Sequence, residues 1–356
     1  MAVTTAILQT KARYEQFAKD TKRSEYFKQL PKNNHAYRHV QRFFGNLALF
    51  AALFGTEVFL FKTAPWFSIF AFPVYVYLQA SVIFTLMVHS HELSHGHIKA
   101  KWLNDTLGVI SGSFIWLNFY SFQYAHRFHH LNIGNLDSPE IGAPVSLKGR
   151  QRLGERDIHH TLLKTFLKSK FIGYLITWPL HLYYGDYASW VLPFRVKGRL
   201  HVKSLVCFLG LVTLNAVLLS SFGLTYLFLY VAPVFLAGVG ILMLTFLHHA
   251  HEDSVFFNAD HHSRNASMMF TTDRDYGLLG NFFMLNNGFH IAHHLNPQIA
   301  YYDLKNASQY LRKTIPEGLK YNYYENSNLY RDFVEGIYEQ RLEHNPELYQ
   351  LKYLKV

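Results

Sequence analysis

The sequence predicts an all-α integral membrane protein: four transmembrane helices in two hairpins, with interfacial helices and a cytoplasmic, histidine-rich cap. Three observations carry that prediction. Half of the 356 residues are hydrophobic and only 16% are charged, against roughly a quarter charged in an ordinary soluble domain. The apolar residues gather into runs long enough to cross a bilayer. Finally, the 22 histidines nearly equal the 24 Asp plus Glu, and most of them cluster where the runs end.

Residues 1–42 form a basic segment. Between Lys11 and Arg42 stand nine Lys/Arg against Glu15, Asp20 and Glu25, which the positive-inside rule reads as a cytoplasmic flank. The short run Ala2 to Leu8 precedes these charges, the reverse of a signal peptide's order, so the chain is expected to enter the membrane through its own spans. The membrane-embedded domain is expected over 43–304. Its first run, Phe43 to Phe61, is broken only by Asn46, Thr56 and Glu57; its second, Phe67 to Val88, follows Lys62-Thr-Ala-Pro-Trp66. Glu57 is an ionisable residue in a span, expected near the outer end and paired with Lys62 or snorkelling.

Two further apolar stretches are too short or too polar to be crossings. Leu103 to Phe122 lies between His97 and His126, which have only 28 residues between them, whereas crossing and returning takes about 40; it reads as interfacial or re-entrant. Phe171 to Phe194 carries His181, Asp186, two prolines and a crowd of Trp and Tyr, the composition of an interfacial aromatic belt. A second basic cluster (Arg195, Lys197, Arg199, Lys203) then precedes the second pair of spans, Leu205 to Leu219 and Leu224 to Leu247, joined by Ser220-Ser-Phe-Gly223. Residues 305–356 read as a cytoplasmic helical tail. The lone Cys207 excludes an intramolecular disulfide. The net charge of +10 sits at membrane edges rather than on a recognition module, so no nucleic-acid partner is expected.

The chemistry lies in the histidines. At the end of the second run the chain reads His89-Ser-His91-Glu-Leu-Ser-His95-Gly-His97, and His91 and His95, four apart, share one helical face. Then come His126-Arg-Phe-His129-His130 and, far downstream, His290-Ile-Ala-His293-His294. Each puts imidazoles at i, i+3 and i+4. A fourth group, His248-His-Ala-His251-Glu252, follows the last span, and from it His249 is the first choice as a further ligand, with His251 second. The boxes plus His249 supply nine imidazoles. One ion takes three or four protein ligands, so the inventory implies two metals; imidazole sites with open positions suit iron and oxygen chemistry, although ligand type alone leaves manganese or zinc open. The remaining neighbours, His89, His97, His248, His261 and His262, are expected to hydrogen-bond or lie at the surface. His35, His39, His159, His160, His181, His201 and His344 need no special role.

HELSH, HRFHH and HIAHH, in this order around two apolar pairs, resemble the three histidine boxes of the membrane-bound fatty acid desaturase and hydroxylase superfamily. The likeness runs from about Phe43 to Leu304. Thr272-Asp-Arg-Asp-Tyr-Gly277, Asn287-Gly-Phe-His290 and His293-His-Leu-Asn-Pro297 followed by Tyr301-Tyr-Asp-Leu304 are similar to methyl-end desaturases. By that resemblance His91, His95, His126, His129, His130, His249, His290, His293 and His294 hold a non-haem di-iron centre. Asn287 is a partner behind those ligands or a turn residue. Glu92 and Glu252 orient ring N–H groups or are solvated charges.

No side chain can break an unactivated C–H bond, so imidazole ligands beside a bilayer point to oxygen activated at iron. The expected substrate is a long-chain fatty acid or acyl chain drawn from membrane lipid, with dioxygen and two electrons from a separate ferredoxin-, rubredoxin- or cytochrome-type donor, docking on the basic face around Lys148 to Lys170. The first reading is desaturation. Hydroxylation, and oxidative decarboxylation of free fatty acids to 1-alkenes in the alkene-forming branch, use the same ligands; the wording HSHELSHGH and Asn296 after the third box keep the decarboxylase alternative open. A His-rich metal transporter is the non-enzymatic alternative. It fits poorly, because spans three and four contain no charged residue and the imidazoles gather outside them.

Overall fold

In a computed structural model of the chain, the structure describes residues 2–33, 35–135, 191–193, 196–249, 257 and 259–332. The protein is mostly helical. After α1 (Ala2–Arg23) and α2 (Glu25–Gln29) come four helices long and apolar enough to cross a membrane: α3 (Ala36–Thr63), α4 (Pro65–Ser94), α7 (Arg199–Phe222) and α8 (Leu224–His249). Between the pairs lie α5 (Lys101–Ser113) and α6 (Phe119–Asn132). Three short helices follow: α9 (Gly277–Phe283), α10 (His290–Leu295) and α11 (Tyr301–Thr314). A two-residue parallel pair, β1 (Asp273–Arg274) and β2 (Tyr323–Tyr324), ties the segment before the third box to the chain beyond α11.

The helices take these places because of what their faces carry. α4 has an almost continuous apolar sequence and is buried from Gln79 to Leu93 apart from half-buried Ser81, an all-round hydrophobic helix at the centre of a bundle. It packs against α3 on one side and α8 on another, with Ile83, Phe84, Val88, Val234 and Ile241 in one cluster. α7 instead leaves Val206, Leu209, Val212 and Val217 exposed, as a lipid-facing helix does. Its partner at the level of the histidines is α6, where Asn118 donates to Ser204 O at 2.8 Å. Gly223, at φ +52, makes the turn into α8.

At 13 and 14 residues, α5 and α6 are about 20 Å long, too short for a hydrocarbon core of about 30 Å. The chain turns between them at Trp116 (φ 58). Gly108 lets α5 close on α6, since a Cβ there would lie 2.3 Å from Phe119.

Three expectations change or gain a partner. Glu57 is buried, and its Oε1 accepts from Ser68 Oγ at 2.7 Å across the α3–α4 pair; this contact from the next helix, rather than Lys62, satisfies it. The N-terminal segment is more than a charged flank. α1 buries Tyr14, Phe17 and Ala18 in a core with Met268, Phe270, Ile291, Leu304 and Leu311, so the first helix roofs the third box. His39 is fully buried, with its ring 5.8 Å from His89, 5.6 Å from His97 and 5.5 Å from Tyr301. The interfacial stretch Phe171 to Phe194 falls almost entirely outside the described residues. So do the basic face Lys148 to Lys170, His251, His159, His160, His181 and the tail after residue 332.

Candidate metal centre

Four elements converge at one end of the bundle. α4 continues past its apolar run to present His91, with His95 capping its end. α6 presents His126, His129 and His130. α8 ends on His248 and His249, and α10 carries His290, His293 and His294. The nine histidines singled out above fall into two groups, each with ligand atoms within 4.8 Å of one another: His91, His95, His126, His130 and His293 in one, and His129, His249, His290 and His294 in the other.

The partition follows a rule of helix geometry. Residues four apart share a face, whereas adjacent ones point about 100° apart. His126 and His130 therefore stay in the first group while His129 turns to the second; His290 and His294 stay in the second while His293 turns to the first. Each HxxHH box keeps its i, i+4 pair and gives its middle histidine to the other group.

Spacing and protonation fit metal ions. In the first group His126 Nε2 is 3.1 Å from His95 Nε2 and 2.9 Å from His130 Nε2. In the second, Nε2 atoms run from His249 to His290 (3.1 Å), to His294 (3.0 Å) and to His129 (3.2 Å). Two nitrogens about 2.1 Å from one divalent ion lie roughly 3.0–3.4 Å apart when they subtend 90–109°. His293 is fully buried, and neither ring nitrogen has a hydrogen-bond partner among the described residues, which a ligand role would explain. Burial first, and neighbouring imidazoles second, hold His95, His126, His130, His290, His293 and His294 well below the usual histidine range. They are neutral at physiological pH, which is the metal-binding form.

Behind the first group, the Asn287 amide meets His91 Nδ1 at 3.2 Å. Glu92 is fully buried: one oxygen accepts from the Tyr301 N–H at 3.0 Å and lies 3.4 Å from His97 Nδ1, while the other is 3.7 Å from His91 Nδ1. His97 Nε2 donates to Pro297 O at 2.9 Å. The two boxes are thereby linked outside the ligands as well. Behind the second group His248 stacks on His290 at 4.0 Å. His89 pairs with Ser111, and His262 donates to Ile133 O; neither joins a group, nor does His261.

Sequence reasoning did not single out Asp273. Its Oδ1 accepts the Ile291 N–H at 2.6 Å, inside the third box, and its Oδ2 accepts from Tyr321 Oη at 2.5 Å and from Ser308. Burial pushes its carboxyl up to about 6 against these hydrogen bonds. The signal was present in the Thr272-to-Gly277 motif, but nothing local told which of its two aspartates faces inward.

A cavity opens from the histidines toward the bundle interior. Phe84, Met87, Val88, Phe122, Ile241 and Leu244 line it below, and His91, His126, His129, His249 and His290 border it above. It is an apolar slot ending at imidazoles.

The sequence profile of the fatty acid desaturase family matches residues 64–325, a segment holding all nine histidines. The chain belongs to the fatty acid desaturase family. It is 27% identical over 301 residues to a Synechocystis protein named sn-1 acyl-lipid omega-3 desaturase (ferredoxin), covering 80% of this chain and 78% of that one. It is 25% identical over 295 residues to the Arabidopsis thaliana Delta(12)-fatty-acid desaturase, covering 76% and 74%. This desaturase is thus a membrane-embedded oxidoreductase acting on fatty acyl chains.

Proposed function

We propose that this desaturase inserts a double bond into a long-chain acyl group by oxygen-dependent di-iron chemistry at the cytoplasmic face of the membrane. The observation that carries the proposal is the pairing of two buried imidazole groups, five and four strong, with an apolar slot directly beneath them. Iron at these nine histidines supplies the dioxygen activation that side chains lack. The slot residues Phe84, Val88, Ile241 and Leu244 hold methylenes and keep water out, so that a chosen pair of carbons rests against His91, His126 and His290. Asn287 fixes the ring orientation of His91, and Glu92 lies behind it against His97. The relatives named for Delta(12) and omega-3 positions support a double bond well along the chain from the carboxyl end.

Removing two hydrogens with one dioxygen to give two waters requires two electrons and two protons per turnover. The electrons come from a separate ferredoxin-, rubredoxin- or cytochrome-type carrier; the ferredoxin in the Synechocystis relative's name supports the first. The side of the membrane is argued from charge. Arg38 and Arg42, Lys99 and Lys101, Arg199 and Lys203, and Arg264 all flank the histidine-bearing ends of the four spans, while the opposite turns at 63–65 and 222–224 have only Lys62 beside them. Four crossings in two hairpins then leave both chain ends and the centre in the cytoplasm.

The test supplies purified, iron-loaded protein with a reductase system, oxygen and long-chain substrate as free acid, thioester or phospholipid, and identifies products by mass spectrometry. An internal alkene supports the proposal. A hydroxy acid or a 1-alkene one carbon shorter would replace desaturation with hydroxylation or decarboxylation, and no oxidised product in any acyl form with iron bound would overturn all three.

A further inference from the structure

Between the Asp273–Arg274 strand and the third box the chain makes a projection that the chemistry above does not use. α9 turns three of its four large side chains outward: Leu278 is 88% exposed, Leu279 72% and Phe282 49%, while Phe283 is half-buried. Three large apolar side chains on seven residues would be a liability in water. The projection is nevertheless firmly rooted. Asp275 Oδ1 accepts from the Gly277 N–H at 3.0 Å and from the Asn281 amide at 2.6 Å, and Asn281 Oδ1 accepts from the Tyr276 N–H at 3.1 Å.

Its depth is set by two contacts with the spans. Thr85 Oγ1 donates to Phe283 O at 2.8 Å, and Thr85 precedes His91 by six residues on α4, about 9 Å farther into the bundle. Arg42, near the start of α3, donates to Phe282 O at 2.6 Å with its guanidinium 3.8 Å over the Phe282 ring. Arg38, one turn earlier on the same face, lies over Tyr302. On the inner side the next residues, Met284 and Leu285, pack in the cluster of Phe84, Val88 and Ile241. The projection therefore runs down the outside of α4 to a level below the histidines, with arginines at its upper edge.

We propose that Leu278, Leu279 and Phe282 form a wedge inserted among the acyl chains of the leaflet that borders the metal centre, with Arg38 and Arg42 at the level of the lipid phosphates. The partner is the bilayer itself, matched by the apolar tip and by the cationic rim. The proposal concerns docking to lipid and holds whichever acyl oxidation the centre performs.

Nitroxide labels at L278C and L279C, each in a C207A background reconstituted in phosphatidylcholine–phosphatidylglycerol nanodiscs, test it by collision with dioxygen and with a water-soluble nickel chelate. Labels at F70C on the exposed face of α4 and K313C on α11 give the lipid and water references. The expected result is a dioxygen-to-nickel ratio severalfold above that at residue 313 and close to that at residue 70. A nickel-dominated ratio, or low collision with both reagents because the chain itself covers the tip, would overturn the proposal. Because labelled variants can misfold, the unaltered chain is also photolysed with a diazirine-bearing phospholipid. Adducts are expected on the peptide spanning 277–283 as well as on the α7 face of Val206 and Leu209; adducts on α7 alone would be decisive against the wedge.

Discussion

The two imidazole groups differ in number, exposure and support. The first has five histidines, two of them (His95 and His126) half-buried, and is braced by Asn287. The second has four, all buried, and its neighbour is another ring, His248. Redundancy thus belongs to the group nearer the surface, and the group without a spare ligand is sealed. Because His129 and His293 are exchanged between the boxes, the groups share helices even though they share no ligand.

That asymmetry can be broken experimentally. The largest effect is expected for His290→Ala, which takes the second group down to three imidazoles, the minimum for one ion, with none to spare: bound iron should fall from two toward one per chain and turnover by about a thousandfold or more, read by metal analysis and product formation. His95→Ala leaves the first group four imidazoles, enough for an ion, so iron should stay near two while turnover falls roughly ten- to a hundredfold. Equal iron loss in both variants would erase the distinction between the groups. Asn287→Ala removes only the brace on His91; about a tenfold loss in turnover with full iron content is expected.

The smallest effect at the bench is a pH signature in stability, and it concerns α10, which serves both groups. Asp273 has an ordinary carboxyl value of 3.8 when unfolded and about 6 when folded, so the folded state binds the extra proton. Its contribution to stability is greatest below about 4 and is lost as pH rises through about 6, by at most roughly 3 kcal/mol. Asp273→Asn removes that titration. Relative to the unaltered protein, its melting temperature should therefore rise between about pH 5 and pH 7.5. A difference in melting temperature that does not change with pH would mean Asp273 keeps its charge in the folded protein.

Local periodicity made much of this legible. HxxxH and HxxHH spell out helical faces, and the four long apolar helices stand where hydropathy puts them. All nine imidazoles chosen from the sequence come together in the structure. What periodicity does not contain is the rotation of one helix about its axis relative to another, and that rotation decides that His129 leaves its box while His126 and His130 stay. The same blindness explains Glu57. Its neighbour in sequence was Lys62, but its partner, Ser68, lies across a turn on the facing helix. His39 looked isolated because its companions His89, His97 and Tyr301 are distant in the chain.

The contact between α1 and the roof of the third box has a consequence for the order of assembly. Tyr14 is clasped by a distant residue, its hydroxyl donating to Lys320 O at 2.6 Å and accepting from the Lys320 N–H at 2.9 Å, and Arg13 reaches Glu317 O. Helix α1 thus cannot make this contact until about 300 more residues have been made and the spans between have been threaded. A chain stopped short of residue 320 would have every histidine of the centre and still lack the strand pair and the clasp that hold the roof.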